Sequence, residues 1–242
     1  GNPGLVHNGG PSMPEAAAHP DHRPDHPPSP PPPAEVIDLS VVIPCLNERE
    51  TIASVVKAAC EGLRLTGLAG EVVVADNGSS DGSQDAARAA GARVVPVKMR
   101  GYGAALLGGT EAARGRWVIM GDADGQHDFL ELPRFVERLK AGDELVMGSR
   151  SLGSVEKGAM GWKNRYLGNP VLSRLGRRLF KAPVSDFNCG YRGFDRARFL
   201  GLHLRTTGME FASEHVIKSA LGGLRIGEVP ITVHPSGRSP PA

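Results

Sequence analysis

The stretch Trp117-Val-Ile-Met-Gly-Asp-Ala-Asp-Gly-Gln-His-Asp128 is an apolar run that ends in an acidic turn. Such a run is typical of a buried strand, and open α/β sheets bind ligands beyond the carboxyl ends of their strands. Asp122 and Asp124 are separated by one residue and are followed by the amide of Gln126. These oxygens suit Mg²⁺ or Mn²⁺, and such a cation would hold a nucleotide diphosphate. An ordinary acidic turn explains the same residues, so the rest of the chain must decide.

The composition favours one globular domain. The chain has 242 residues, 40% of them hydrophobic, and a formal net charge of +2. A single core is plausible up to roughly 250 residues, and so small a charge gives no argument for a nucleic-acid partner. The three cysteines have no metal-ligand spacing, which favours free thiols in a reducing, cytosolic setting. We find no signal peptide and no apolar run of about 18 residues that would span a membrane.

The first 35 residues differ in composition from the remainder. The run Pro27-Pro-Ser-Pro-Pro-Pro-Pro33 favours an extended polyproline conformation, and little before it is apolar enough to be buried. We therefore expect a disordered Pro- and His-rich tail over residues 1–35 and a folded domain over residues 36–242.

Strands and helices are predicted to alternate from residue 39 onward. The predicted strands span residues 39–43, 71–75, 92–97, 117–120 and 144–148, and the predicted helices span 48–65, 83–90, 104–113 and 129–140. We expect Pro44 to stop the first strand and Asp81 to cap the second helix. This alternation predicts an α/β fold with a mostly parallel sheet and helices on both faces. Right-handed crossovers would bring the turns after the first, second and fourth strands to one edge.

The pattern changes after Arg150. Ser151 to Gly161 shows no periodicity, and we expect a mobile loop there. A basic amphipathic helix is predicted over Asn164 to Phe180, which suits either solvent or an anionic membrane surface. A short helix near residues 196–200, a helix opening near 208–214 and a strand over 225–233 complete the predicted elements.

Two other phosphate-binding chemistries are not supported by the motifs. The sequence contains no G-x-x-x-x-G-K-[ST] loop. Gly101-Tyr-Gly103 lacks the third glycine at the spacing of a dinucleotide-binding loop. We therefore do not expect a nicotinamide enzyme.

Six short motifs, in order, resemble those of the family 2 glycosyltransferases with the GT-A fold. They resemble in particular the branch of polyprenyl-phosphate (dolichol-phosphate) mannosyl- and glucosyltransferases. The motifs are Val42–Glu48, Asp76–Gly82, Asp122–Gln126, Gly148–Arg150, Asp186–Arg192 and Glu228–Ile231, within a resemblance over about residues 38–238. It implies a single Rossmann-like domain whose mostly parallel central sheet is flanked by helices.

On the donor side, the resemblance implies nucleotide-sugar contacts from Pro44, Leu46, Asn47, Glu48, Asp76, Asn77, Gly101, Asp122, Ala123, Asp124 and Arg238. Asp76 matches an acid that binds the base or ribose, and Arg238 matches a basic residue that closes on the pyrophosphate. The family more often has Asp in place of Asn77, which leaves base selectivity open. Asp122, Asp124 and Gln126 match the metal motif, where Mg²⁺ or Mn²⁺ would make the diphosphate a better leaving group.

On the acceptor side, the chemistry depends on which oxygen attacks. A hydroxyl needs a general base, whereas a lipid phosphate is already anionic and needs cations to position it. Guanidinium groups bind phosphate in a bidentate way, and the candidates are Arg150, Arg165 and Arg192. Asp186 would be the base for a hydroxyl acceptor. The predicted catalytic residues are therefore Asp122, Asp124, Arg150, Asp186 and Arg192, and Glu210 and Glu214 are expected to brace the arginines or take part in catalysis.

The expected function is inverting, metal-dependent transfer of a hexose from a UDP- or GDP-sugar to a polyprenyl phosphate. Its setting would be the cytosolic face of a membrane, with the membrane surface as a partner and no nucleic acid. Alternatives are a family 2 glycosyltransferase acting on a hydroxyl of a glycan or small molecule, and a non-catalytic nucleotide-sugar-binding module. Many members of the branch continue into hydrophobic segments, and we expect this sequence to stop before them.

Overall fold

The computed structural model describes residues 36–156 and 182–238, together with Gly1, Ala159, Arg178 and Phe180. The chain divides into Gly1–Ala34 and Glu35–Ala242, and all the elements named below lie in the second unit. Apart from Gly1, the tail expected over residues 1–35 lies outside the described residues. The same holds for the helix expected over 164–180, apart from Arg178 and Phe180, which are helical.

β-strands and α-helices alternate through the described part of the domain. The strands are β1 (Leu39–Cys45), β2 (Gly70–Asp76), β3 (Arg93–Pro96), β4 (Trp117–Met120), β5 (Leu145–Val155), β6 (Arg192–Asp195) and β7 (Ile226–Val233). The helices are α1 (Ile52–Thr66), α2 (Ser83–Ala89), α3 (Tyr102–Ala112), α4 (Leu132–Lys140), α5 (Arg196–Gly201) and α6 (Phe211–Leu221). The predicted helix over 129–140 is divided, because its first turn is a 3-10 helix at Phe129–Glu131.

The strands form one sheet in the order β3-β2-β1-β4-β6-β5-β7. β6 is antiparallel to both of its neighbours, and the other paired strands are parallel. The predicted α/β fold with a mostly parallel sheet is therefore confirmed. The pattern did not predict β6, since four residues with charged ends, Arg192-Gly-Phe-Asp195, carry too little periodicity to indicate a strand.

The prediction that Pro44 stops the first strand was wrong. β1 continues to Cys45, and Pro44 pairs in register with Ala75 of β2. Val42 O accepts a hydrogen bond from the β4 side, and Cys45 O accepts one from the β2 side. Backbone groups alternate in direction along a strand, so the nitrogen of Pro44 points toward the β4 side, where pairing has ended at Val42. The missing N–H therefore removes no ladder hydrogen bond.

The prediction of a mobile loop beginning at Ser151 was also wrong for residues Ser151 to Val155. β5 continues to that residue and pairs with β7, with an irregularity between Ser149 and Ser154. A Cβ on Gly153 would lie only 2.0 Å from the carbonyl oxygen of Ile231. Glycine thus allows the two backbones to approach closely, and the irregular register hides the alternation that would indicate a strand.

The start of α1 and the N-cap residue of α2 also differ from the predictions, although α2 begins at Ser83 as predicted. The turn Glu48–Thr51, in which Thr51 N donates to Glu48 O, precedes α1, so this helix begins at Ile52. Gly82 rather than Asp81 is the N-cap residue of α2, although Asp81 Oδ1 accepts from Ser83 N at 2.9 Å. The sheet and helices enclose a continuous apolar core of buried strand and helix side chains. This core holds the loops at the strand ends in place.

Candidate active site

The carboxyl ends of β1, β2 and β4 meet at one edge of the sheet. Cys45, the last residue of β1, pairs with Asp76, the last residue of β2. On the other side of β1, Val42 pairs with Met120, two residues before Asp122. The predicted convergence of the three polar turns is therefore confirmed.

The turns after β1 and β2 are locked together by side chains. Asn47, at a positive φ of 57°, donates its N–H to Ser79 Oγ at 2.9 Å. Its side-chain oxygen accepts from Ser80 N at 2.9 Å. Glu48 N donates to Ser83 Oγ at 2.8 Å. The segment predicted to hold the nucleoside is thus positioned by the turn after β2, next to the exposed side chain of Leu46.

Asp76 organises the turn that follows it. Its carboxylate is 2% exposed and accepts from Gly78 N at 3.0 Å, Ser79 N at 3.2 Å and Gln84 Nε2 at 2.8 Å. These bonds fix the carboxylate at the end of β2. A contact of Asp76 with the base or ribose stays a prediction. It would use lone pairs of the carboxylate oxygens that these hydrogen bonds leave free.

Asn77 connects this turn to the start of α3. Its amide nitrogen donates to Val97 O at 3.1 Å and Met99 O at 2.6 Å, and its amide oxygen accepts from Gly101 N at 2.8 Å. The residue is 4% exposed. Only an amide both donates and accepts in this way, so an aspartate would leave both carbonyls without their donor.

Asn77→Asp should lower the free energy of unfolding by about 2 kcal/mol, because the buried carboxylate would face two carbonyl oxygens. Ser80→Ala, whose hydroxyl lies in the same turn, is the matched control and should change stability by less than about 0.5 kcal/mol. Urea unfolding at pH 7 measures both. Equal losses in the two variants would contradict a specific role for the amide.

Hydrogen bonds from neighbouring residues and from α3 fix the acidic motif after β4. Asp122 Oδ1 accepts from the Tyr102 hydroxyl at 2.9 Å, and Asp122 N donates to His127 Nδ1 at 3.1 Å. Asp124 Oδ1 accepts from Gln126 N at 3.0 Å. Burial raises the pKa of Asp124, against the Gln126 hydrogen bond, and the negative charge of Asp122 raises it further. Burial and the charge of Asp122 raise the pKa of Tyr102 well above its ordinary value, so its hydroxyl stays protonated.

The oxygens of this motif suit a divalent cation. Oδ1 of Asp122 and Oδ1 of Asp124 are both engaged, and among the described residues no hydrogen bond to either Oδ2 is found. The amide nitrogen of Gln126 donates to Ala159 O at 3.0 Å, which leaves its oxygen as an acceptor. Within the described ranges, no group of three or more His, Cys, Asp or Glu side chains forms a metal site. Two carboxylates and an amide fit Mg²⁺ or Mn²⁺, which commonly complete their coordination with water and phosphate oxygens.

The segment after β7 lies against the acidic motif. His234 N donates to Gln126 O at 2.9 Å, and Gly237 N donates to Asp124 O at 2.8 Å. Arg238 then forms a two-point ion pair with Glu48, with Nε 3.0 Å from one carboxylate oxygen. The structure therefore brings the predicted pyrophosphate ligand Arg238 to the loops that carry the predicted nucleoside and metal contacts.

Arg150 and Asp186 form the second half of the site. Arg150 Nη2 lies 2.6 Å from Asp186 Oδ1, and Arg150 Nε bonds the other oxygen, so the pair is bidentate. Asp186 is 4% exposed. A Cβ on Gly190, in the loop after Asp186, would lie 2.9 Å from Asp122 Oδ2. The loop that follows the ion pair therefore borders the acidic motif.

The structure does not place Arg192 where it could bind an acceptor. Its side chain is fully buried and donates to the carbonyl oxygens of Cys189 at 2.7 Å, Ala212 at 2.7 Å and Phe187 at 3.4 Å. The prediction that Arg192 is a catalytic residue and a phosphate ligand was therefore wrong, and its side chain belongs to the scaffold beneath the site. Arg165 lies outside the described residues.

Glu214 does not brace the candidate arginines. Its carboxylate accepts from the backbone of Arg205 and Thr206 and from the Thr206 hydroxyl, and it pairs with Lys218 at 2.9 Å. Although burial opposes the shift, these bonds lower the pKa of Glu214 to about 2. The exposed Glu210 accepts from Gly208 N at 3.1 Å. Both acids thus stabilise the loop before α6.

Glu214→Gln should lower the free energy of unfolding at pH 7 by about 2 to 3 kcal/mol. Because the folded-state pKa lies below the unfolded value, this stabilisation is present above the unfolded value of about 4.5 and is lost as pH falls toward about 2. The wild-type and variant stabilities should therefore converge over that pH range in urea titrations. Glu210→Gln, an exposed control, should show no such pH-dependent difference.

Sequence reasoning missed Tyr102, His127 and Gly190 as site residues. Tyr102 stands between Gly101 and Gly103 after β3, where a nucleotide-sugar contact was predicted for Gly101 but no role for the tyrosine. Gly190 lies inside the Asp186–Arg192 motif and His127 directly follows the Asp122–Gln126 motif, but their contacts with Asp122 depend on how the loops pack. The glycine pair was the signal that could have identified Tyr102.

The part of the chain that the structure describes has no helix long and apolar enough to cross a membrane.

The chain belongs to glycosyl transferase family 2, because the model of that family matches residues 40–200. The low-salt glycan biosynthesis hexosyltransferase Agl6 of Haloferax volcanii is 41% identical over 201 residues, which cover 81% of this chain and 48% of the relative. The dolichyl-phosphate hexose transferase of the same organism is 34% identical over 197 residues, covering 80% of this chain and 82% of the relative. The chain thus spans about half the length of Agl6.

Solved structures confirm the predicted GT-A fold. Glucosyl-3-phosphoglycerate synthase from Mycobacterium tuberculosis superposes with a TM-score of 0.68 at 27% identity, covering 85% of this chain and 73% of the synthase. That crystal contains Mn²⁺, UDP-glucose and phosphoglyceric acid. Another crystal of the synthase contains Mg²⁺ and UDP, with a TM-score of 0.65, and covers 85% of this chain and 73% of the synthase at 26% identity.

Proposed function

We propose that the chain is the catalytic domain of an inverting, divalent-metal-dependent hexosyltransferase that uses a UDP- or GDP-sugar and a polyprenyl phosphate acceptor. One observation carries this proposal. The Asp122–Asp124 motif lies between the interlocked turns after β1 and β2 on one side and the loop of the Arg150–Asp186 ion pair on the other. Donor and acceptor groups would therefore meet at one acidic centre.

The donor half is supported by the geometry of the three loops. The turn from Asn47 to Glu48 and the carboxylate of Asp76 would hold the nucleoside, next to Asn77, Gly101 and Ala123. Arg238 would exchange its partner Glu48 for the diphosphate, because a phosphate group is a strong competitor for a guanidinium. A divalent cation on Asp122, Asp124 and Gln126, the cation type present in the synthase crystals, would neutralise the diphosphate as it leaves.

The acceptor half is supported by the state of Asp186. This carboxylate is the described candidate for a general base, yet both of its oxygens are held by Arg150. Such a carboxylate is poorly prepared to remove a proton from a hydroxyl, whereas a phosphate oxygen needs no base. Arg150 would bind the acceptor phosphate while Asp186 fixes the orientation of the guanidinium. The relative named dolichyl-phosphate hexose transferase favours the same acceptor class.

The setting proposed for this reaction is the cytosolic face of a membrane, since the acceptor is a lipid. The predicted basic helix over residues 164–180, with Arg165, would contact the anionic surface.

A hydroxyl acceptor is the second candidate. The synthase crystal favours it, because on the same fold it contains a small soluble molecule, phosphoglyceric acid, together with UDP-glucose. In that case Asp186 would have to leave Arg150 to act as the base. Asp186→Asn would then reduce transfer to a hydroxyl sharply while leaving binding of the donor intact.

A donor screen followed by a product assay tests the proposed function. Thermal shifts with UDP, GDP and their hexose derivatives, with and without Mn²⁺, identify the donor. The matching α-linked sugar nucleotide is then incubated with a short polyprenyl phosphate, and the product is examined by NMR. We expect stabilisation that requires Mn²⁺ and a β-linked hexosyl phosphate. An α-linked product contradicts inversion, and nucleotide-sugar binding with no product from either the polyprenyl phosphate or hydroxyl acceptors indicates a non-catalytic module.

A further inference from the structure

Tyr102 makes a contact with Asp122 that none of the sequence motifs assigns. It is the first residue of α3, its ring packs partly buried against the core, and its hydroxyl donates to Asp122 Oδ1 at 2.9 Å. The helix carrying it starts after β3, the edge strand, which β2 and β1 separate from β4 in the sheet. One hydroxyl therefore connects the loop after β3 to the acidic motif after β4.

The backbone around Tyr102 is held on both sides. Gly101 N donates to Asn77 Oδ1 at 2.8 Å, and Ala104 N donates to Thr207 O at 3.1 Å. Gly101 itself has a φ of 127°, and a Cβ there would lie 2.2 Å from Thr207 O. Only glycine fits this approach, and the start of α3 has little freedom to move. The phenol ring is therefore presented to Asp122 from a fixed support.

The Asp122 carboxylate is enclosed on its other side by the loop after Asp186. A Cβ on Gly190 would lie 2.9 Å from Asp122 Oδ2 and 3.1 Å from the Tyr102 hydroxyl. The backbone N–H of Asp122 is bound to His127 Nδ1 at 3.1 Å. Oδ1 of the carboxylate therefore faces the phenol, and Oδ2 lies beside the Gly190 backbone.

We propose that Tyr102 is a positioning residue that holds Oδ1 of Asp122 so that Oδ2 is presented to the cation and the diphosphate. This inference rests on the proposed function, because it needs a cation at Asp122 and Asp124. A neutral donor suits the task, since it orients the carboxylate and leaves its negative charge in place for the cation. A lysine at this position would neutralise that charge instead.

Tyr102→Phe removes the hydroxyl and keeps the ring. The measurement is the Mn²⁺ dissociation constant in the presence of UDP or GDP, taken from the electron paramagnetic resonance signal of free Mn²⁺. We expect the dissociation constant to rise about tenfold, which is the effect of losing one hydrogen bond to a charged group. The matched control is Tyr191→Phe, because the Tyr191 hydroxyl donates to Asp128 O at 3.1 Å and not to Asp122. The control should keep the wild-type dissociation constant.

Gly190→Ala disturbs the same carboxylate from the opposite side and decides the matter should Tyr102→Phe fail to fold. Its added methyl group would press on Asp122 Oδ2 and the Tyr102 hydroxyl, and we expect a similar loss of Mn²⁺ affinity. A wild-type dissociation constant in a folded Tyr102→Phe variant, or in Gly190→Ala alone, overturns the inference. If Mn²⁺ binding depends on Tyr102 but no hexose is transferred, the proposed function fails and the inference stands. If hexose is transferred and Tyr102→Phe has the wild-type Mn²⁺ dissociation constant, only the inference about Tyr102 fails.

Discussion

Asp124→Asn should reduce hexose transfer by about 10²- to 10³-fold, because it removes one of the two charges proposed to hold the cation. The substitution keeps the turn intact, since an amide oxygen can accept the hydrogen bond that Gln126 N now donates to Asp124 Oδ1 at 3.0 Å. The loss should therefore appear without unfolding. Thermal shifts should also show that nucleotide binding no longer responds to Mn²⁺, which is a readout separate from activity.

Asp128→Asn is the matched control for this experiment. Asp128 lies in the same acidic stretch, but its Oδ1 caps the 3-10 helix by accepting from Leu130 N at 2.9 Å. Asparagine caps a helix nearly as well as aspartate. The control should retain transfer and the Mn²⁺ response. Full activity of Asp124→Asn, or an equal loss in both variants, would contradict the metal assignment.

Arg192→Met should cause the largest loss of stability, about 3 kcal/mol and about 10 °C in Tm. Methionine approximates the length of the side chain, but it leaves the carbonyls of Cys189, Ala212 and Phe187 without donors in a fully buried space. Methionine also removes the desolvation penalty of the buried guanidinium charge, which offsets part of this cost. Calorimetry measures the shift.

Arg196→Met provides the comparison. Arg196 also donates to two carbonyls, Thr110 O at 2.9 Å and Glu111 O at 2.8 Å, yet it lies partly in solvent. Water can replace its hydrogen bonds, so the loss should be below about 1 kcal/mol. A larger loss of stability for Arg196→Met than for Arg192→Met would contradict the claim that the buried hydrogen bonds of Arg192 contribute more to stability.

The sheet was predictable from sequence where strands are central and apolar. β4 was predicted residue for residue, because Trp117 to Met120 is a continuous apolar run. β6 was missed and β5 was cut short, because a four-residue strand and an irregular register carry no clear period of two. The position of Pro44 in β1 depends on where the neighbouring strand stops, which local sequence does not show.

The site divides in a similar way. The acidic motif was predictable because its chemistry lies in consecutive residues, Asp122 to Gln126. The different positions of Arg150 and Arg192 were not predictable, because both residues carry the same guanidinium. Only packing determines that Arg150 is partly exposed and Arg192 buried. The contact of Tyr102 with Asp122 joins residues 20 apart, and it follows from the order of strands in the sheet.

A paired-acceptor assay tests the central claim most directly. The protein is given a labelled sugar nucleotide and Mn²⁺ with either a polyprenyl phosphate or the corresponding polyprenol, which differs only in lacking the phosphate. The proposed function predicts labelled lipid from the phosphate alone, and none after chelation of the metal. Label on the polyprenol or on a soluble hydroxyl, with none on the polyprenyl phosphate, would contradict it.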